Sequence, residues 1–274
     1  EVGAPLFLRH TRAVELTAAG ALLLQAVAQA LPRIDTAVRQ IRQSAGRRHV
    51  TVTTFASFAS MWLIPRLEAF QREFPDIDIR IEASDTMLDL EVADVDLAVR
   101  YAPVARVPTG ARRLFGESVT VMASPWLLKA GPALRRPADV LQYTLIESGD
   151  AYAPHLAWLS WHRWLEANDL AKQQPKRWLT LNYAYQMVQA ALTGQGLVLA
   201  RPPLVADALA RGELVELLPQ TRLHSPLAYW LMLAPRSAAR PEVKAFADWV
   251  LAQAVATRQV IGEGDDPDLV NDLD

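Results

Sequence analysis

The sequence predicts an α/β protein in which two lobes of strand–helix units follow a long N-terminal helix. Three observations carry that reading. Apolar residues recur at helical spacing over residues 24–41, ahead of any strand. Short β-rich runs alternating with amphipathic helices then begin at Val50, and the rhythm restarts around Ser124 and Pro125. With 274 residues, 51% hydrophobic and 21% charged, the chain can bury a sizeable core in about two domains.

In the head, Thr17 is placed to cap a helix through its hydroxyl. Leu24, Val27, Leu31, Ile34, Val38 and Ile41 follow with spacings of 3, 4, 3, 4 and 3, a coiled-coil seam that predicts pairing with a second helix. Pro32 lies inside this helix and predicts a kink, because it lacks the N–H for one backbone bond. Residues 44–48 then read as a linker.

The body opens with a strand from Val50 to Phe55, a turn over Ser57–Ser60 and a helix from about Met61 to Phe74. In that helix Leu63, Leu67, Phe70 and Phe74 face inward. Pro75 and Asp76 break it before an alternating strand, Ile77–Ile81. A short helix at Met87–Val92 and strands at Val95–Tyr101 and Val119–Ala123 complete the first half of an open, mostly parallel sheet.

The second half has strands at Leu145–Ser148, Trp178–Asn182, Leu197–Ala200 and Leu214–Leu217. Helices are expected at Leu159–Asn168, Tyr185–Thr193 and Pro203–Arg211. Gly194-Gln195-Gly196 follows a helix instead of opening one, so it reads as a tight helix-to-strand turn and not a dinucleotide loop. A strand at Ala228–Leu233 and a helix at Pro241–Ala254 precede an acidic stretch that predicts disorder. Two such lobes predict a cleft that takes a small ligand.

Composition excludes several chemistries. Without cysteine there is no disulfide framework, thiol catalysis, iron–sulfur cluster or cysteine-based zinc site. No apolar run approaches the ~18–20 residues of a membrane span, and Glu1–Pro5 lacks the order of a signal peptide, so a cytoplasmic location is expected. His155 and His162 have no ligand-rich partner, so no metal site is expected and no cofactor. Trp158, Trp161 and Trp164 around them read as a core contact in preference to an aromatic cage. No P-loop, nucleophile elbow or ordered Ser/His/acid set is present, so the chain is not read as an enzyme.

Formal charge is −2, yet it is unevenly spread. Residues 1–49 hold seven basic against three acidic groups, 263–274 hold six acidic and no basic group, and the body balances. A basic head keeps a nucleic-acid partner in play despite the near-neutral sum.

The head, Pro5-Leu6-Phe7-Leu8-Arg9-His10-Thr11-Arg12-Ala13-Val14-Glu15-Leu16-Thr17-Ala18-Ala19-Gly20, resembles the wing and linker-helix entry of LysR-type transcriptional regulators, LF-x-R-x-x-R-x-V-x-LT-x-AG. Ser57–Leu67, Phe74–Ile77, Asp96–Tyr101 and Gln189–Leu197 are similar to the branch of glycine-cleavage and β-lactamase regulators. The resemblance covers residues 1–255 and implies a remnant of a winged helix-turn-helix at 1–16 and a dimerising linker helix at 17–46. It implies a periplasmic-binding-protein-like, two-lobed effector domain at 47–255, with lobe I at about 47–123 and 225–255 and lobe II at about 124–224. Residues 256–274 are left as an acidic tail. Since the family's helix-turn-helix lies upstream of this motif, the sequence reads as N-terminally truncated.

The resemblance further implies that Arg9, His10, Arg12 and Thr17 touch DNA backbone, which positions a protein without reading bases. For the effector, the Thr54–Ser60 segment joins a strand to a helix N-terminus, where free N–H groups favour an anion or carbonyl. Ser57 and Phe58 are the candidates there, with Ser60 as a cap. Glu147, Ser148, Asn182 and Tyr183 are expected on the facing lobe, and Asp89, Arg100 and Tyr229 follow from positions in the family pattern. Asp89 suits an amine, and Arg100 suits either a ligand or a strand-to-strand tie; together they hint at a polar, zwitterionic effector.

The expected function is a DNA-binding transcription regulator that senses a small effector and works as a homodimer or homotetramer away from membranes. The alternatives are a free-standing solute-binding or dominant-negative module without DNA binding, and a periplasmic transport receptor. The lack of a signal peptide and the seam helix weigh against the last.

Overall fold

The computed structural model describes residues 2–9, 14–43, 48–84, 90, 93–149 and 157–263. The chain divides into two compact units, Glu1–Arg48 and His49–Asp274.

In the first unit β1 (Phe7–Arg9) and β2 (Val14–Leu16) form an antiparallel hairpin, with Phe7 opposite Leu16. Helix α1 (Ala18–Gln43) follows and runs on through Pro32 without a break. Thr17 caps it as expected: its Oγ1 accepts the Gly20 N–H at 3.0 Å and donates to the Pro5 carbonyl at 2.7 Å. A Cβ at Gly20 would lie 2.1 Å from the Leu6 carbonyl oxygen, so only glycine lets helix and hairpin approach this closely. The seam residues Leu24, Val27, Leu31, Ile34 and Val38 are all exposed, Leu31 by 58% and Ile34 by 59%. The Ile41 side chain lies outside the described residues.

The second unit begins with β3 (Arg48–Thr54). A turn is expected next, but the chain is already helical at α2 (Ala56–Phe58), then passes through a π-turn (Ala59–Leu63) and a 3-10 turn (Ile64–Arg66) into α3 (Leu67–Glu73). The wide turn changes the helical phase so that Phe58, Trp62 and Leu63 are all buried. It also leaves Pro65 in the 3-10 turn, where its missing N–H is tolerated. Ser60 is exposed inside the π-turn, so its expected capping role is not what the structure shows.

In chain order there follow β4 (Ile77–Ala83), β5 (Leu97–Ala102), β6 (Arg112–Ala123) and α4 (Pro125–Ala130). Next come β7 (Thr144–Ser148), α5 (Trp161–Ala167), β8 (Arg177–Leu181), α6 (Ala184–Leu192), β9 (Leu197–Ala200) and α7 (Pro202–Ala210). The last elements are β10 (Val215–Leu217), β11 (Leu223–Leu233) and α8 (Pro241–Ile261). Most of the short helix expected at 87–92 lies outside the described residues.

Among the described residues the strands run in the order β4-β3-β5-β11-β6-β9-β7-β8, with β10 also on β6. The expectation of a mostly parallel sheet needs correction. Pairing is parallel toward the outside, β3 with β5 and β7 with β8 and β9, but antiparallel through the centre, where β11 and β6 lie. Those two strands pass from one lobe to the other. The first part of β6 pairs with β11, and Thr120–Met122 pair with β9. Strand β11 returns alongside, its Leu223 opposite Val119 and its Leu231 opposite Arg112.

Each lobe has its own core. Val52, Leu97, Leu231, Phe70, Phe246 and Val250 pack in the first. Leu145, Leu199, Trp161 and Trp164 pack on one side of the second sheet, and Ile146, Val198, Met187 and Val205 on the other. Trp161 and Trp164 are fully buried, donating to the Ile146 and Thr221 carbonyls, which agrees with the core reading of this aromatic run. Trp158 stays 40% exposed under the Arg163 guanidinium. Gly194, at φ +76°, makes the tight turn expected after α6 and lies against the Trp126 ring.

Buried Asp96 knits the first lobe together. Its carboxylate accepts from Thr51 N–H at 2.8 Å, Ser237 Oγ at 2.6 Å and Arg240 Nη1 at 2.7 Å, tying β3 to the entry of α8. Helix α8 does not stop near Ala254 but runs to Ile261, because Thr257 and Arg258 are buried. Thr257 Oγ1 accepts Trp62 Nε1 at 2.9 Å, and Arg258 Nη1 donates to the Leu114 carbonyl at 2.7 Å. Residues 264–274 lie outside the described residues.

Candidate functional site

The lobes meet where α2 of the first lobe faces α6 of the second. Ser57 stands at the start of α2, and its Oγ accepts the Tyr185 N–H at 3.4 Å. That N–H is one of the unpaired donors at the start of α6. Ser57 thus caps a helix of the opposite lobe and not its own. Beside it Tyr183 is 39% exposed and stacks on Tyr185 with centroids 5.5 Å apart. Asn182 is exposed next to them, near Gly149 at the end of β7. Ser57, Asn182 and Tyr183 therefore share one region between the lobes.

Behind this mouth lies a cavity of about 10 Å³, room for about one water, lined by Met61, Met187, Val198, Leu199, Arg201 and Leu204 among others. Met61 comes from the π-turn, and Arg201 stands at the first position before α7, directly after β9. Arg201 anchors a polar cluster in the otherwise apolar interior. Its Nε lies 3.0 Å from Glu117 Oε1 and its Nη1 donates to Tyr229 Oη at 3.2 Å. Tyr229 donates to the same Glu117 oxygen at 3.1 Å. The Tyr101 ring packs 5.0 Å from that of Tyr229 and beneath the Arg201 guanidinium, its hydroxyl 2.5 Å from Ser225 Oγ.

The Glu117 side chain is completely buried. Burial pushes its carboxyl above the usual carboxylate range, and the facing Arg201 charge opposes that rise. Loss of water also raises the Tyr101 and Tyr229 hydroxyls, reinforced by the neighbouring Glu117 charge. Two buried polar atoms have no hydrogen-bond partner among the described residues, Glu117 Oε2 and Thr54 Oγ1. Such atoms are rare in folded proteins and mark places where a further partner belongs.

The other candidates sit as follows. Phe58 is buried in an aromatic cluster, 4.9 Å from Trp62 and 5.3 Å from Tyr229 between ring centroids, so it braces the site from behind. Arg100 is buried and ties β5 to β3, donating to Thr53 Oγ1 at 2.9 Å and lying over the Phe55 ring. Glu147 accepts the N–H groups of Ser148 at 2.9 Å and Trp161 at 2.8 Å, which fastens β7 to α5; burial raises its carboxyl while those bonds lower it. Ser148 is half-buried at the end of β7. Asp89, His10 and Arg12 lie outside the described residues. Arg9 ends the exposed strand β1 of the N-terminal unit.

Sequence reasoning missed Tyr101, Glu117 and Arg201, and reached Thr54 only as the first residue of the Thr54–Ser60 segment. One signal was present for Glu117: it shares the period-2 face of Phe115, Val119 and Val121, an acid where the pattern calls for an apolar residue.

Comparison with known proteins places this architecture. Residues 43–255 match the family of the LysR substrate binding domain. The glycine cleavage system transcriptional activator of Escherichia coli (strain K12) is 30% identical over 262 residues, spanning 94% of this chain and 82% of the relative. The HTH-type transcriptional activator AmpR of Pseudomonas aeruginosa is 30% identical over 254 residues, 92% and 82% respectively. Among solved structures, the effector domain of AmpR of Pseudomonas aeruginosa superposes with a TM-score of 0.59 at 29% identity, covering 79% of this chain and 98% of that one. CrgA of Neisseria meningitidis, a LysR-type transcriptional regulator, gives 0.58 at 20% identity over 92% and 85% of the two chains, a likeness of fold.

Proposed function

The chain belongs to the LysR family of transcriptional regulators, and from that premise we propose that it binds DNA and that a small effector, held between its lobes, controls that binding. The observation that carries the effector half is the buried polar cluster at the lobe junction, where Glu117 Oε2 and Thr54 Oγ1 lack partners. A ligand supplies those partners and replaces the Ser57-to-Tyr185 contact at the mouth. Ser57, Asn182 and Tyr183 act as contacts at the entrance, Arg201 and Tyr229 at the floor, with Phe58, Arg100 and Glu147 as supports. Asp89 and Ser148 remain in the proposed effector set.

The DNA half rests on the basic head and on the relatives' names. Arg9, His10, Arg12 and Thr17 serve as backbone contacts, and the exposed seam Leu24, Val27, Leu31, Ile34, Val38 and Ile41 pairs two chains into a dimer, the unit of a homodimer or homotetramer. No helix among the described residues is long and apolar enough to cross a membrane, which accords with a proposed cytoplasmic location. The relatives are transcriptional regulators, a family that is not enzymatic.

The test is a thermal-shift screen of small metabolites on the whole chain, followed by DNA binding with and without each hit. A compound that raises Tm and changes the affinity for genomic DNA fragments supports the proposal. A screen with no hit, or hits that leave DNA affinity unchanged, overturns it.

A further inference from the structure

Helix α7 lies in sequence between β9 and β10, inside the second lobe, yet its side chains enter both cores. Leu204 belongs to the first core with Phe58, Trp62 and Phe246, whereas Val205 and Ala208 belong to the second with Met122 and Val198. Neighbouring positions on an α-helix point about 100° apart, so Leu204 and Val205 reach different layers. Pro202 and Pro203 open the helix and are buried, and their fixed φ stiffens its start. The helix packs on α8, on β6 and on the π-turn. Asp207 adds a polar tie to the first lobe. Its Oδ2 lies 3.6 Å from Arg66 Nη1, and that guanidinium lies over the Trp62 ring and donates to the Trp62 carbonyl at 2.9 Å. Trp62 is itself fully buried and bonded to Thr257 of α8.

At the mouth the lobes are held differently. Ser57 and Tyr185 meet through one hydrogen bond of 3.4 Å, longer than the usual N–H···O range, and Tyr183 beside them is exposed. The cavity lined by Met61, Ala184 and Met187 leaves the packing of α6 on the π-turn incomplete. The crossing strands also have a weak point. Between its pairings of His224 with Ser118 and Ala228 with Gly116, β11 sets Ser225, Pro226 and Leu227 against Glu117 alone. Such a bulge interrupts the ladder and lets the strand bend.

Close-packed contacts resist sliding, whereas a single long hydrogen bond and an interrupted ladder yield easily. From this contrast we infer that α7 is the pivot between the lobes. When the lobes move apart they open at the α2–α6 mouth, β6 and β11 bend at Glu117 and the bulge, and α7 stays seated on the π-turn and α8. Leu204 is the side chain that seats it. The pivot is a property of the fold and stands apart from the effector reading above.

The chain has no cysteine, so pairs of introduced cysteines take spin labels at chosen places. Ser60→Cys with Gln189→Cys spans the mouth, and Ala69→Cys with Ala210→Cys joins α3 to the end of α7; all four positions are exposed. Each doubly labelled chain is diluted into excess unlabelled chain, so that pulsed electron resonance reads distances within one chain. The mouth pair is expected to give a distance distribution about twofold broader, or more, than the α7 pair. Leu204→Ala is expected to broaden the α7 pair until it matches the mouth pair. Should that variant fail to fold, the two pairs in the otherwise unaltered chain still decide. Equal widths for the two pairs, or a broader α7 pair, overturn the inference, as does an α7 pair unmoved by Leu204→Ala.

Discussion

Glu117 shows how a single residue breaks its local pattern and so exposes a site. Strand β6 places Phe115, Val119 and Val121 inward, and Glu117 occupies the inward position between them with its charge met by Arg201. Removing Arg201 strands that charge. Arg201→Ala is expected to destabilise the fold by about 3–5 kcal/mol at neutral pH, the usual cost of breaking a buried pair. The sign of its pH dependence follows from burial. Glu117 titrates above its unfolded value, so the folded state holds the proton more tightly, and stability tied to it is lost as pH rises through the folded value. Without Arg201 that value climbs further. The Tm deficit of Arg201→Ala against the parent is therefore expected to be larger at pH 8 than at pH 5.5, read by calorimetry at both. The roles of Ser57 and Thr17 as polar groups at helix starts were legible from residue type. The partner of Ser57 was not, because the N–H it accepts lies 128 residues away on the other lobe.

Among the elements, the strands read least well are the two that cross between lobes. The sequence pattern showed only Val119–Ala123 of β6 and Ala228–Leu233 of β11, whereas the strands span Arg112–Ala123 and Leu223–Leu233. The hidden portions carry Arg112, Arg113, Gly116 and Glu117 on β6 and Pro226 on β11, residues that weaken a strand signal. Tertiary contacts supply what local propensity withholds. Along the edge of β6, Arg258 donates to the Leu114 carbonyl, and the Glu263 carboxylate accepts the Gly116 N–H at 2.9 and 3.1 Å while pairing with Arg113. The end of α8 thus stands in for a neighbouring strand. Glu263→Ala is expected to speed hydrogen exchange at the Gly116 amide and to lower stability by about 1–2 kcal/mol, with other β6 amides little changed. The end of α8 was not legible because its last turn is buried only by contact with β6 and Trp62.

At the scale of the whole molecule, a long N-terminal helix ahead of a two-lobed body was legible, since periodicity and strand–helix rhythm are local properties repeated over many residues. The antiparallel centre of the sheet was not, because the return of β11 beside β6 is a long-range choice. The exposed seam of α1 predicts association: Leu31→Asp with Ile34→Asp is expected to shift light-scattering mass from dimer or larger to monomer at micromolar concentration. Each apolar residue lost from a buried seam removes about 1.5–3 kcal/mol. Binding of a small effector between the lobes is tested most directly by comparing metabolite-induced Tm shifts of the whole chain with those of Ser57→Trp, which fills the entrance beside Tyr185. A compound that stabilises the parent by several degrees is expected to leave Ser57→Trp unmoved. Equal shifts in both proteins would rule out binding at this entrance.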